Sequence, residues 1–295
     1  MTIYHRRTIS AGLLCLGLLI LGALALTPGM SQQAVLPTTK TPEGTFANDP
    51  YWQHARQEVY KSVLELLSQH QAELLRGVRY HKFLRGDPRL KQIALTFDDG
   101  PHPTTPALLA VLKKEEVKAT FFVVGEMAEK YPELIRAELA DGHCVGNHTY
   151  HHVNLTKILE ADVATELKAC GEALLRITGK APHLFRPPGG DYDTGVAEVA
   201  EALGYTTVLW TDDPGDYASP GAQLILQRTV KNASNGGIIL IHDGIQETID
   251  ILPKLIQTLK KQGYTFVTID ELMQPARSIS ASPLVHIPKK ARTTP

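Results

Sequence analysis

Cysteine is scarce in this chain, with three in 295 residues. A disulfide framework therefore does not carry the fold, and a buried core must. Charge imbalance is missing as well: 30 Lys and Arg face 31 Asp and Glu, a formal net charge of −1. No global basic field exists to hold nucleic acid. No internal repeat runs through the chain. What is present is a hydrophobic share of 43%, enough for one large α/β domain with extensions, and twelve His. Twelve imidazoles against three thiols point to imidazole chemistry.

The N-terminus carries the one long apolar run. Arg6-Arg7 precede an uncharged stretch from Ile9 to Leu26, a positive n-region followed by an h-region. Ala23-Leu24-Ala25 resembles a small-x-small cleavage site, yet the run is about long enough to span a bilayer. Residues 1–26 thus read as a cleaved signal peptide or a retained anchor, and both place the rest outside the cytoplasm, secreted or membrane-anchored. Cys15 sits inside the run without the small residues of a lipoprotein signal and reads as apolar filler. Cys144 and Cys170 are open between a disulfide and two free thiols.

Residues 27–50 are rich in Pro, Thr, Gln and Gly and read as a flexible linker. Residues 51–90 form a helical extension. Its helix, Tyr51 to Gly77, carries an apolar stripe at Val59, Val63, Leu67 and Leu74. Such a stripe ordinarily means docking without chemistry. Residues 274–295 read as a disordered tail. Between them a βα alternation predicts strands at Gln92–Phe97, Ala119–Val124, His143–Asn147, His183–Arg186, Thr206–Trp210, Gly237–His242 and Thr265–Thr268. Helices are expected at Thr105–Lys114, Glu126–Asp141, Thr156–Thr178, Thr194–Leu203, Ala222–Ala233 and Ile249–Gln262. This alternation implies a parallel sheet with crossover helices, and about seven strands imply a distorted (β/α) barrel.

Candidate chemistry collects at the predicted strand ends, where parallel α/β folds build their sites. Asp98 and Asp99 close the first strand, a costly position unless charge, metal or hydrogen bonds compensate. His148 and His152 are four apart, so one helical turn would put both rings on one face. Two His and one Asp suit a catalytic zinc with an open position. Thr149, where a zincin has Glu, argues against that class. Arg186 precedes the rigid turn Pro187-Pro188-Gly189-Gly190 and is able to hold a carboxylate bidentately. His242 ends another buried strand. Asp212, Asp213 and Asp216 share one loop, where a carboxylate near His242 would favour its protonated form. Tyr217 and Leu240 offer an apolar wall for a small methyl group.

Taken in order, TFDDG (Thr96–Gly100), HTYHH (His148–His152), RPPGG (Arg186–Gly190), DPGDY (Asp213–Tyr217) and LIH (Leu240–His242) resemble the five motifs of NodB-type polysaccharide deacetylases, carbohydrate esterase family 4. The resemblance spans residues 91–273. It implies a NodB homology domain and a metal-dependent hydrolase of N-acetylated glycans. N-acetylglucosamine units of peptidoglycan come first as substrate and chitin-type oligomers second. An O-acetyl glycan esterase or a non-catalytic glycan-binding scaffold are the alternatives. It implies Asp99, His148 and His152 as metal ligands, Asp98 as general base and His242 as general acid. Arg186 looks like the partner of Asp98, and Asp216 like that of His242. Pro188, Gly189, Tyr217 and Leu240 become substrate contacts, with the Gly189 N–H an oxyanion donor. The implied cofactor is a divalent metal, zinc first, with cobalt, manganese or nickel as alternatives. Two departures bear on substrate fit. Gly189 stands where the family often has an aromatic residue, and Tyr217 replaces the usual Trp. His151 is outside the pattern and is expected to be exposed or structural. A membrane partner arises only through residues 1–26, and the oligomeric state is left open.

Overall fold

A computed structural model describes Tyr60–Gln274. The expected targeting segment, the linker, the first turns of the helix from Tyr51 and the tail beyond Gln274 lie outside the described residues. No helix among the described residues is long and apolar enough to cross a membrane.

Eight parallel strands make one curled sheet: β1 (Lys82–Phe83), β2 (Gln92–Asp98), β3 (Thr120–Val123), β4 (Cys144–Asn147), β5 (Leu184–Phe185), β6 (Thr206–Val208), β7 (Gly237–His242) and β8 (Thr265–Phe266). Seven follow the order β1-β6-β5-β4-β3-β2-β7, and β8 pairs with the start of β2. A single bridge between Asp212, beyond β6, and Ile239 of β7 brings the ring round to a distorted barrel. The α/β class and the distorted barrel of about seven parallel strands read from the alternation are what the chain forms, with seven strands on the main path and β8 beside it.

Strand periodicity sorts side chains between two cores. Ile93, Leu95 and Phe97 of β2 and Ile239 and Ile241 of β7 pack with Leu108, Leu112, Leu252 and Leu255 of the outer helices α2 (Thr105–Lys114) and α8 (Gln246–Lys261). Ala94, Ile238 and Leu240 turn the other way, into a cluster with Phe122, Val208 and Trp210. Thr96 and Asp98 share the parity of Ala94, so the strand aims Asp98 inward. The remaining helices are α1 (Val63–Leu75), α3 (Gly125–Lys130), α4 (Pro132–Ala140), α5 (Glu160–Thr178), α6 (Thr194–Ala202), α7 (Ala222–Asn232) and α9 (Ile269–Leu272).

The chain departs from the sequence expectation in four places. The helix expected over Glu126–Asp141 is two, because Pro132 fits only a first helical turn and sets Tyr131 at φ −132°, ψ 55°. The helix expected from Thr156 starts at Glu160, after a short 3-10 turn at Leu155–Lys157. In α1 it is Leu66, not Leu67, that is fully buried, while Leu67 remains 48% exposed. The extension over residues 51–90, read as a helix to Gly77 with no strand after it, also contributes β1, which pairs with β6, so the sheet begins before Lys91. Lys82 of β1 carries a buried ammonium that pairs with Glu73 of α1 and donates to the Tyr192 hydroxyl at 2.7 Å. Cys144 and Cys170 are free thiols, half-buried and buried respectively.

Candidate metal and catalytic site

Four charged or imidazole-bearing strand ends meet at one mouth of the sheet. Asp98 ends β2 and His242 ends β7, and the two are register partners on adjacent strands. His148 follows β4 and Arg186 follows β5. Asp98, Asp99, His148, His152, Arg186, Asp216 and His242 are all buried.

The His148–His152 segment is not a helical turn. It is a loop in which Thr149 (φ 67°) and His152 (φ 57°) are left-handed. One local and two tertiary bonds impose this conformation. The Thr149 N–H donates to Asn147 Oδ1 (2.8 Å), and the N–H groups of Tyr150 and His151 both donate to Glu166 Oε2 (3.0 and 2.8 Å). The reversals still bring the rings together, with centroids 5.0 Å apart. Asp99 is left-handed too (φ 71°). The chain twists after Asp98, so both carboxylates face the same pocket, and strand alternation does not explain how they divide.

Asp99 Oδ1 lies 3.0 Å from His152 Nε2 and 3.4 Å from His148 Nε2, and the three donor atoms fall within 4.8 Å of one another. His148 Nδ1 donates to the Arg186 carbonyl at 2.7 Å, so its Nε2 presents a lone pair to the centre. Burial opposes ionisation of Asp99, but the imidazoles of His152 and His148 beside it hold its carboxyl well below the usual range. Two imidazoles and a carboxylate, all buried and convergent, fit a divalent cation. His151 points away: it is exposed and binds Glu166 Oε1 at 2.6 Å.

Asp98 Oδ1 accepts from Arg186 Nη1 at 2.7 Å. The pairing is single, not the bidentate fork expected from sequence. Nη1 also donates to Thr96 (2.8 Å), Nε to the Val208 carbonyl (3.2 Å) and Nη2 to that of Leu209 (3.5 Å), while the guanidinium lies 4.1 Å from the Phe122 ring centre. Arg186 is spread over four acceptors, which satisfies a buried cation and leaves Asp98 Oδ2 for the pocket, 3.8 Å from His148 Nε2. Across the site, Asp216 is saturated. Oδ1 accepts from His242 Nδ1 (2.7 Å) and the Tyr217 N–H (3.0 Å); Oδ2 accepts from the His242 N–H (2.9 Å) and Thr248 (2.7 Å). Burial favours neutral imidazole, but Asp216, with Asp99 and Asp98 behind it, overrides this and raises the His242 pKa to about 10. Asp213, by contrast, is a turn residue whose Oδ1 accepts from the Gly215 N–H at 2.8 Å.

The apolar positions surround these donors. Leu240 is fully buried one residue pair before His242, and Tyr217 stands edge-on to the His242 ring at 5.5 Å. Pro188 and Gly189 lie buried in the turn after Arg186, Gly189 at φ 61°. Gly190, at φ 69°, is needed for space as well: a Cβ there would lie 2.5 Å from Trp210. Sequence patterning missed three members of the site. Thr248 gave no signal. Thr96 was visible only as part of the TFDDG string. Tyr60, from the extension, packs 5.0 Å from the His242 ring centre and 4.2 Å from that of Tyr217.

Residues 85–208 match the polysaccharide deacetylase family. The chain is 42% identical over 190 residues to a peptidoglycan-N-acetylglucosamine deacetylase of Bacillus cereus, covering 62% of this chain and 89% of that protein. It is 38% identical over 200 residues to a peptidoglycan-N-acetylmuramic acid deacetylase of Bacillus subtilis, covering 66% and 76%. Among solved structures it is similar to the Bc1960 peptidoglycan N-acetylglucosamine deacetylase, with a TM-score of 0.65 and 35% identity over 68% of this chain and 95% of the other.

Proposed function

The chain belongs to the NodB-type polysaccharide deacetylase family, carbohydrate esterase family 4, and from that premise we propose that it removes N-acetyl groups from N-acetylglucosamine units of peptidoglycan. It is a glycan deacetylase with a divalent-metal site at Asp99, His148 and His152. The observation that carries the reading is the flanking of that triad by two differently wired pairs, Arg186–Asp98 on one side and Asp216–His242 on the other.

A bound divalent metal supplies Lewis acidity, lowering the pKa of a water and polarising the acetyl carbonyl. Zinc is the ion we favour, because imidazole and carboxylate donors with an open position suit it. Asp98 takes the water's proton on Oδ2, its other oxygen being occupied by Arg186. The Gly189 N–H supports the charge that develops on the acetyl oxygen. His242, held as imidazolium by Asp216, gives its Nε2 proton to the departing nitrogen. An amide nitrogen leaves only when protonated, so a cationic acid suits an N-acetyl substrate. Pairs with opposed environments separate the base from the acid.

The similarity to both N-acetylglucosamine and N-acetylmuramic acid deacetylases keeps the search within peptidoglycan. Arg6-Arg7 and the apolar run behind them support an extracytoplasmic location. The test is acetate release by the full chain from peptidoglycan strands and from N-acetylglucosamine oligomers, with zinc and with chelator. Free glucosamine amine in the product supports the proposal. Release from muramic acid alone would move the substrate assignment. A freed hydroxyl without free amine would make the protein an esterase, and no acetate from any substrate would end the catalytic reading.

A further inference from the structure

One ring from outside the five motifs stands in the site. Tyr60 is only 8% exposed, although it lies in the arm before α1. Its ring is nearly parallel to that of Tyr217, at 28° and 4.2 Å between centres, and nothing fits between two rings so placed. Both rings stand edge-on to the His242 imidazole, Tyr60 at 5.0 Å and Tyr217 at 5.5 Å. They form one aromatic slab beside the catalytic imidazole, and Tyr60 is its nearer member.

The arm is fastened to the loop that carries Gly189. The Lys61 N–H donates to the Gly189 carbonyl at 2.9 Å, and Lys61 Nζ pairs with Asp191 at 2.9 Å. Directly after it, Ser62 and Glu65 cap each other's backbone and start α1, so the chain turns away once the ring is placed. Gly189 has no side chain of its own to wall the pocket. The ring of Tyr60 reaches the site over a segment hydrogen-bonded to Gly189.

We propose that Tyr60 is a specificity-determining residue: its ring is the outer wall of the acyl pocket and restricts the group removed to acetyl. This rests on the deacetylase reading. Tyr60 stands nearer the His242 ring than Tyr217 does, so an acyl group seated beside that imidazole would lie against Tyr60, and a wall in van der Waals contact admits a methyl and refuses one carbon more. Discrimination over a single methylene is worth about 10–200-fold.

The experiment compares the wild type with Tyr60→Phe, Tyr60→Leu and Tyr60→Ala on N-acetyl and N-propionyl glucosamine oligomers, reading kcat/KM for each. The expected wild-type preference for acetyl is kept by Tyr60→Phe, reduced by Tyr60→Leu and reduced about 10-fold or more by Tyr60→Ala. A merely structural role would lower both rates together and leave the ratio alone. An unchanged ratio in Tyr60→Leu or Tyr60→Ala overturns the proposal. So does faster acetate release by Tyr60→Ala, which would make the ring an obstruction. Calorimetric binding of acetate against propionate to the zinc-loaded protein reads the wall without turnover. If the wild type releases no acetate from any glycan, the deacetylase reading fails alone, and an acetate-to-propionate binding ratio equal in wild type and Tyr60→Ala then overturns the wall.

Discussion

The two ends of the sheet make an instructive pair. The C-terminal end gathers Asp98, Asp99, His148, His152, Asp216 and His242. The opposite end opens on a cavity of about 520 Å³ lined by His143, Cys144, His183 and Asp270, among others. Both are rich in metal-capable groups, yet among the described residues only the C-terminal end is arranged as a site. At the C-terminal end three donors converge within 4.8 Å, buried, with His148 donating to the Arg186 carbonyl and His242 beside them held by the saturated Asp216. At the other end His183 meets Asp270 at 2.8 Å, with both side chains about half exposed. Cys144 is a thiol whose ionisation burial and then Asp270 push far up, away from reactivity. Residue type does not separate the two ends; convergence of buried donors does.

The sharpest way to break the contrast is His148→Ala, which removes a donor. Metal content by elemental analysis and acetate release should both fall to background, and a variant that stays fully active would remove the metal assignment. Asp98→Asn should lower kcat by about 10²–10⁴-fold with metal content unchanged. If it loses metal instead, the base and ligand roles of Asp98 and Asp99 are exchanged. Arg186→Met leaves Asp98 as an uncompensated buried charge, and chemical denaturation should register a loss of about 3–5 kcal/mol.

Asp216→Asn tests the imidazolium through pH. The His242 pKa is raised from 6.5 to about 10 in the fold, so its contribution to stability is fully present below pH 6.5 and is lost as pH rises toward 10. Melting temperatures of the metal-free wild type should fall across that window, and those of Asp216→Asn should fall less; parallel curves would reject the coupling. At the far end of the sheet, His183→Ala should change stability by no more than about 0.5–1 kcal/mol and leave acetate release intact, as suits an exposed pair. A large effect there would show that the second cluster matters to the site after all.

How much of this was legible in the sequence differs element by element. The β7 strand, Gly237–His242, was readable to the residue because a fully buried parallel strand is a continuous apolar run ending in one polar side chain. The α2 helix was equally plain. The strand β1 was not, since two residues give no period and Lys82 contradicts a buried position until Glu73 and Tyr192 are seen beside it. In the site, the identities of the donors were readable from five ordered motifs. Their geometry was not. The spacing of His148 and His152 suggested a helix, but Asn147 and Glu166 hold a left-handed loop. Tyr60 carried no signal, because its ring neighbours Trp210, Tyr217 and His242 lie far along the chain from it.

By itself the sequence determined the fold class, the family and the candidate side chains for the chemistry, since periodicity and ordered motifs are local properties. The tertiary structure alone decided how those side chains divide the work. Which oxygen of Asp98 stays available, why Asp99 turns to the imidazoles and which ring walls the pocket depend on buried hydrogen bonds between distant strands. A buried charge or polar group settles where its partners are, and those partners exist only once the sheet has closed.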